Sequence, residues 1–480
     1  MDLHDYAAAT ESTNIVTIQS RYGLYIDGEF CEPASKKYFD TINPATEDVL
    51  SQIADANEND VDRAVKAASR AFPAWASLPG SERAKYLYRI ARILQERARE
   101  FAVLETMNNG KPIRETRDFD IPISVAHFFY HAGWADKLEY AGYGSHPQPL
   151  GVVGQIIPWN FPMMMLAWKI APALACGNTV VLKPAETTPL SALLFADVLE
   201  QAGLPPGVVN IITGAGSTGS ALVEHPDVAK IAFTGSTNVG KSIMQSLAGT
   251  AKRLTLELGG KGANIIFDDA PIDQAIEGIV NGIYFNQGHV CCAGSRLLVQ
   301  ENIVDEVLIR LQTRMSTLRI GNPLDKNTDI GAINSRAQLT RIQELVNAGV
   351  SEGAEIWKCT SELPTKGFWF APSYFTNVTD AHRIVREEIF GPVLTIQTFR
   401  TPKEAVEKAN NTPYGLSAGI WSEKTSKIHF MATHLKAGVV WANTFNKFDP
   451  ASPFGGYRES GFGREGGRTG LGAYLKEVAS

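Results

Sequence analysis

Two adjacent cysteines, Cys291 and Cys292, stand in Phe285-Asn-Gln-Gly-His-Val-Cys-Cys-Ala-Gly-Ser-Arg296, a polar, glycine-flanked loop between an apolar helical run and an apolar strand run. Upstream, Leu254-Thr-Leu-Glu-Leu-Gly-Gly-Lys261 carries one carboxylate, Glu257, at the end of an alternating strand pattern. A thiolate is a soft nucleophile, and a separate carboxylate can serve as general base. Each group is followed by glycines, which let a substrate come close to the backbone. The combination points to covalent catalysis with a distinct general base.

The elements that must position these groups follow from length and patterning. At 480 residues the chain is too long for one core, so two or three domains are expected. A 44% hydrophobic and 20% charged composition is that of a soluble globular protein. A formal charge of −6 argues against nucleic acid or an anionic membrane as partner. The longest apolar stretch, Met163 to Ala175, is interrupted by Lys169 and Pro172, which speaks against a membrane span. Five scattered cysteines give no disulfide framework, and a reducing, cytoplasmic setting is expected. Met1 to Ser20 is polar, with acidic Asp2, Asp5 and Glu11, and reads as a loose arm rather than a targeting segment.

Apolar residues at three- and four-residue spacing predict helices over Asp60–Trp75 and Glu82–Met107. Strand and helix then alternate. Strands are expected at 151–157, 177–183, 208–213, 230–234 and 253–258, with helices at 162–175, 190–202, 219–225 and 239–248 between them. Such alternation implies a parallel sheet covered by helices, which binds ligands at the carboxyl ends of its strands. A second alternating series, with strands at 264–267, 297–299 and 393–396, starts beyond Gly259-Gly260, where a domain boundary is placed.

Two phosphate-binding patterns compete for attention. Gly214-Ala-Gly-Ser-Thr-Gly219 fits G-x-G-x-x-G, but the next strand ends in Phe233-Thr-Gly-Ser236 without the acid that would hold a ribose. Gly235-Ser-Thr-Asn-Val-Gly-Lys-Ser242 fits a P-loop, and Asp268 could support magnesium, so a nucleotide hydrolase is a rival reading. It gives no role to Glu257 or Cys291. A milder reading keeps Gly235 and Ser236 as a helix N-terminus that holds a pyrophosphate. Lys183-Pro-Ala-Glu186, at another strand end, could grip the adenosine ribose through Lys183 and Glu186. His289, Cys291 and Cys292 have too few ligands at the wrong spacing for a metal, and none is expected.

Taken together, the chain resembles the aldehyde dehydrogenase superfamily from about Tyr25 onward. The matching segments are Pro158-Trp-Asn-Phe-Pro162, Lys183-Pro-Ala-Glu186, Phe233-Thr-Gly-Ser236, Leu256-Glu-Leu-Gly-Gly-Lys261, Phe285-Asn-Gln-Gly-His-Val-Cys291, Glu387-Glu-Ile-Phe-Gly-Pro392 and Pro453-Phe-Gly-Gly-Tyr-Arg-Glu-Ser-Gly461. The resemblance implies NAD(P)-dependent oxidation of an aldehyde to a carboxylic acid, with Cys291 as nucleophile, Glu257 as the base that activates water, and Asn160 as an oxyanion donor beside the Cys291 backbone N–H. Lys169 and Glu465 match positions of a proton relay. Cofactor contacts are implied for Ile156, Trp159, Lys183, Glu186, Gly235, Ser236, Glu388 and Phe390, and Glu186 favours NAD over NADP, which stays possible. Phe161, Met165, Trp168, Phe285 and Phe448 match the aldehyde tunnel, suited to apolar, aromatic or betaine-type aldehydes, the last with Asp449 nearby; no Arg is evident at its mouth.

The implied α/β architecture has a Rossmann-like parallel-sheet cofactor domain (1–126 and 148–258), an α/β catalytic domain (259–467) and a small β oligomerisation flap (127–147 and 468–480, with a last strand from Leu471 to Val478). A homodimer or homotetramer is expected. A catalytically silent family member acting as a scaffold is the remaining alternative. Intact Cys291, Glu257 and Asn160 argue against it.

Overall fold

The structure, a computed structural model, describes residues 7–476. Two large sheets organise it. The first has eight strands in the order Gly461–Phe462, Arg253–Glu257, Val228–Thr234, Val152–Ile156, Thr179–Lys183, Val209–Ile211, Leu24–Ile26 and Glu29–Cys31. Its five central strands are parallel, and antiparallel pairings occur only toward the two edges. Strands such as Thr179–Lys183 are buried along their whole length, as expected where helices cover both faces of a parallel sheet. The second sheet has seven strands, Glu355–Lys358, Ser373–Thr376, Val393–Phe399, Arg296–Gln300, Ala263–Ile266, Ser417–Trp421 and Val439–Ala442, antiparallel only between the first two. The chain passes from one sheet to the other across Leu258–Gly262.

In the first sheet, strand order reverses at Val152–Ile156. The next strands in sequence, Thr179–Lys183 and Val209–Ile211, extend it one way, and Val228–Thr234 then returns to its other side. The carboxyl ends of Val152–Ile156 and Val228–Thr234 therefore flank a crevice, the place where open α/β sheets take ligands. The helix Pro162–Ala175 starts just beyond it and is buried along its length, so it is apolar all round rather than striped.

Several local expectations are corrected. The helix expected over Glu82–Met107 is two helices, Gly80–Glu96 and Ala98–Asn109, broken at Arg97 (φ −95°, ψ 11°). The apolar period continues through this one-residue break, so periodicity cannot reveal it. The loose arm is tied down from Ala7 onward: the Glu11 N–H donates to Leu324 O at 2.8 Å, and its buried carboxylate pairs with Arg99 and, at 3.2 Å, with Lys326. Met1 to Tyr6 lie outside the described residues. The helix Ile121–Ala132 runs through position 127, where the flap was placed to begin. Gly467–Leu471 is helical and Gly472–Tyr474 a 3-10 turn, so the last strand starts at Leu475 and pairs antiparallel with Gln148–Pro149. Its expected continuation to Val478 lies outside the described residues.

Candidate active site

The crevice opens into a cavity of about 240 Å³. Its walls bring together Asn160, Glu257 and Cys291, residues of three separate elements, with Trp159, Gly235, Ser236, Glu388 and Phe390 on one side and Phe161, Met165, Trp168 and Phe448 on the other. Among the described residues no cluster of His, Cys, Asp or Glu has a metal-binding arrangement.

Cys291 follows a strained turn. Asn286 (φ 49°), Gln287 (φ 53°) and Gly288 (φ 75°) are all left-handed, a conformation that side chains other than glycine's disfavour. Gly288 is required on a second count, since a Cβ there would lie 2.1 Å from Gly391 O. The turn is closed by side chains: the Asn160 amide donates to His289 O at 2.8 Å, and the Asn286 amide donates to Asn160 O at 2.8 Å. Asn160 keeps its second N–H for a ligand. The Cys291 thiol is pushed well above its ordinary range, first by the neighbouring Cys292 thiol and then by burial. Cys292 itself is buried, its Sγ 3.8 Å from Asn446 Oδ1. The His289 ring packs between Trp159 (4.8 Å) and Phe390 (5.8 Å), and burial holds it neutral, down to about 3.

Glu257 ends its strand buried, and neither carboxylate oxygen has a hydrogen-bond partner within the protein. Burial, followed by the Glu465 charge, pushes its carboxyl well above the usual carboxylate range, while Lys169 acts against them. Lys169 and Glu465 form a buried ion pair. The two glycines after Glu257 are dictated by close approach: a Cβ on Gly259 would meet Glu388 Oε2 at 2.2 Å, and one on Gly260 would meet Cys291 O at 2.4 Å.

On the cofactor side, Ser236 caps the helix Thr237–Ser246, its Oγ accepting from Val239 N at 3.4 Å, so the helix N-terminus faces the crevice. The Gly260 N–H donates to Glu388 Oε1 at 3.0 Å, and burial raises that carboxyl to about 7. Lys183, nearly buried, donates to Pro184 O at 3.1 Å and lies 3.5 Å from the half-exposed Glu186. The glycine-rich turn closes on this pair, since a Cβ on Gly219 would touch Lys183 Cδ at 3.6 Å and Ile156 Cδ1 at 3.7 Å. Ile156, Lys183 and Glu186 do not line the cavity itself; a helix N-terminus at the crevice suits an anion, and a Lys–Glu pair can hold ribose hydroxyls.

Phe285 does not line the cavity. It packs on Phe119 (5.4 Å) and Phe161 (6.1 Å) behind the wall, because the chain turns left-handed directly after it. Met164, Phe454 and Thr234 line it instead. Arg341 also borders the cavity, held by Glu387 at 2.7 Å and Glu344 at 2.9 Å. Asp449 is turned outward, its Oδ1 accepting from Ala451 N at 2.7 Å. The P-loop reading loses its lysine and its acid, for Lys241 pairs with Glu459 at 3.0 Å and Asp268 with Lys427 at 3.0 Å.

A crevice at the switch point of a parallel sheet, with a second α/β unit supplying a cysteine opposite a buried carboxylate, defines a nucleotide-binding α/β enzyme. A family model described as the aldehyde dehydrogenase family matches residues 30–479, and the chain belongs to that family. It is 48% identical over 471 residues to DhaS of Bacillus subtilis (strain 168), covering 96% of this chain and 95% of that one. Human mitochondrial aldehyde dehydrogenase is 44% identical over 468 residues, covering 94% of this chain and 90% of its own length. The NAD+ complex of an aldehyde dehydrogenase from Bacillus cereus superposes with a TM-score of 0.92 at 43% identity, covering 96% of both chains. The chain is thus an enzyme of the aldehyde dehydrogenase class.

Proposed function

We propose that this enzyme uses NAD to oxidise an apolar, aromatic or betaine-type aldehyde to the carboxylic acid through covalent intermediates on Cys291. The observation that carries the reading is the unpartnered Glu257 carboxylate in the same apolar cavity as Cys291, walled by Phe161, Met165, Trp168 and Phe448. Lys183 and Glu186 hold the adenosine ribose, Gly235 and Ser236 the pyrophosphate, and Glu388 and Phe390 the nicotinamide ribose and ring; Ile156 and Trp159 form the floor. When bound, NAD accepts the hydride that leaves the aldehyde carbon.

Cys291 gives its proton to Glu257 and adds to the aldehyde carbon. Glu257 is raised chiefly by burial, so its carboxyl holds a proton more tightly than a free carboxylate does. The Asn160 amide and the Cys291 N–H donate to the oxyanion. Loss of hydride leaves a thioester. Glu257 first gives up the thiol proton through the Lys169–Glu465 pair and then takes a proton from water; the hydroxide adds to the thioester carbonyl, and the carbon–sulfur bond breaks to release the acid and the thiolate. The Lys169–Glu465 pair behind Glu257 passes its proton onward. Aromatic rings at 6.2 Å (Trp168 to Phe448) and 5.7 Å (Phe448 to Phe454) suit apolar or quaternary ammonium groups. The strand pair Gln148–Pro149 with Leu475–Lys476 has only two strands, which supports its reading as the flap of a homodimer or homotetramer.

The test is NADH formation from a panel of aliphatic, aromatic and betaine-type aldehydes. Turnover with NAD that Cys291→Ala abolishes is expected. Turnover surviving in Cys291→Ala would remove the covalent mechanism.

A further inference from the structure

We infer that Glu115 is a positioning residue for the oxyanion site, clamping the left-handed turn that sets Cys291 and Asn160 in register. This rests on Cys291 being the nucleophile. Glu115 is buried, and its Oε2 accepts from the Asn286 N–H at 3.0 Å. Asn286 is the first of the left-handed residues, where a side chain gains nothing from the backbone conformation and must be held there by its surroundings. The same residue passes the constraint on. Its side-chain amide donates to Asn160 O at 2.8 Å and to His289 O at 3.3 Å, and the Asn160 amide donates to that same His289 carbonyl at 2.8 Å. One carboxyl therefore fixes, through one backbone N–H, both the oxyanion-donating side chain and the peptide two residues before the nucleophile.

Glu115 is itself braced. It ends the helical turn Ile113–Glu115, after which the chain forms a π-turn over Thr116–Asp120. Asp120 pairs at 2.5 Å with Lys111, and all of these groups are buried. Lys111 Nζ lies 3.9 Å from the centre of the Phe161 ring, which lines the cavity, so the cluster supports the substrate wall as well as the nucleophile turn. Burial, partly offset by Lys111, raises the Glu115 carboxyl to about 8. At neutral pH it accepts as a neutral acid, a role that a glutamine can fill. Glu115 does not border the cavity, so it acts through Asn286 and never on substrate.

The experiment compares wild type, E115Q, E115L, N286A and C291A for kcat, KM for NAD and aldehyde, thermal midpoint, and the rate of iodoacetamide alkylation at Cys291, with C291A as the blank. E115L is expected to lower kcat about 10- to 100-fold, the scale of a small misplacement of reacting groups. Its alkylation rate should fall with kcat while KM for NAD holds within about twofold. E115Q should restore both rates, and N286A should reproduce the loss. A folded E115L with kcat and alkylation at wild-type values overturns the inference, as does an E115Q as impaired as E115L. Should E115L fail to fold, wild-type rates in N286A, or depressed rates in E115Q, overturn it equally. Turnover in C291A sinks the nucleophile reading and this inference together, whereas a dead C291A beside a wild-type-like E115L sinks the positioning role alone.

Discussion

Glu257 meets the site with both oxygens unpartnered and its carboxyl raised by burial. A base with a raised pKa is protonated on the acid side and gains its function as pH rises. Cys291, raised as well, shifts in the same direction. Aldehyde oxidation is therefore expected to climb with pH from neutral into the alkaline range, followed as kcat/KM against pH. In Glu257→Gln both the proton transfer from Cys291 and the hydrolysis of the thioester lose their base, so NADH formation should fall about 10²- to 10⁴-fold with no rapid first turnover, read by rapid-mixing absorbance. At this scale the motifs carrying Cys291, Glu257 and Asn160 single out residues that the structure brings to one cavity, because each motif combines residue types with few other uses. Phe285 was misread because its neighbour's left-handed turn is invisible in residue type. Met164 and Phe454 were missed for a different reason: a helix apolar on every side offers no stripe to say which side faces a cavity. Lys111, Asp120 and Glu115 are spaced like surface charges, and only packing shows them buried.

Among the elements, the crossing between the two sheets is the most demanding. Gly259 and Gly260 both lie against the site, but their neighbours differ in how they can yield. In Gly259→Ala the new Cβ would meet the end of a swinging carboxylate, so folding should survive while KM for NAD rises. In Gly260→Ala it would meet the Cys291 carbonyl, which is backbone, so kcat and thermal midpoint should both fall. Steady-state kinetics with a melting curve for each variant check the contrast, and equal effects would contradict it. The five parallel strands at the centre of the first sheet and three strands of the second were legible, since two hydrophobic periods separate strand from helix, whereas the short edge strands such as Leu24–Ile26, Glu29–Cys31 and Gly461–Phe462 offer too few residues for a period. The break at Arg97 and the helical turn at Gly467–Leu471 were not, because local packing ended one element and began another without changing the apolar period.

At the scale of the whole molecule, buried ionisable groups bend stability with pH from both sides. Glu105 and Glu115 are raised from 4.5 to about 8 by burial. The folded state thus holds protons the unfolded chain has released, so their contribution is complete below about 4.5 and is lost as pH rises to about 8. His131 is lowered by burial from 6.5 to about 4, and its contribution is present above 6.5 and lost as pH falls through about 4. Thermal midpoints should therefore decline toward pH 8 on one side and pH 4 on the other, and Glu115→Gln should flatten the alkaline decline. An unchanged alkaline slope in that variant would mean that the carboxyl is ionised in the fold.

The strand Gly461–Phe462 lies beside Arg253–Glu257, with Ser460 donating to Gly259 O across 201 residues of chain and Glu465 reaching Lys169 across 296. During synthesis, the cofactor sheet and the nucleophile turn emerge well before this closing segment. A chain halted before residue 460 would therefore leave the edge of Arg253–Glu257 unpaired, a template for pairing with another chain, and Glu257 without Glu465 beside it.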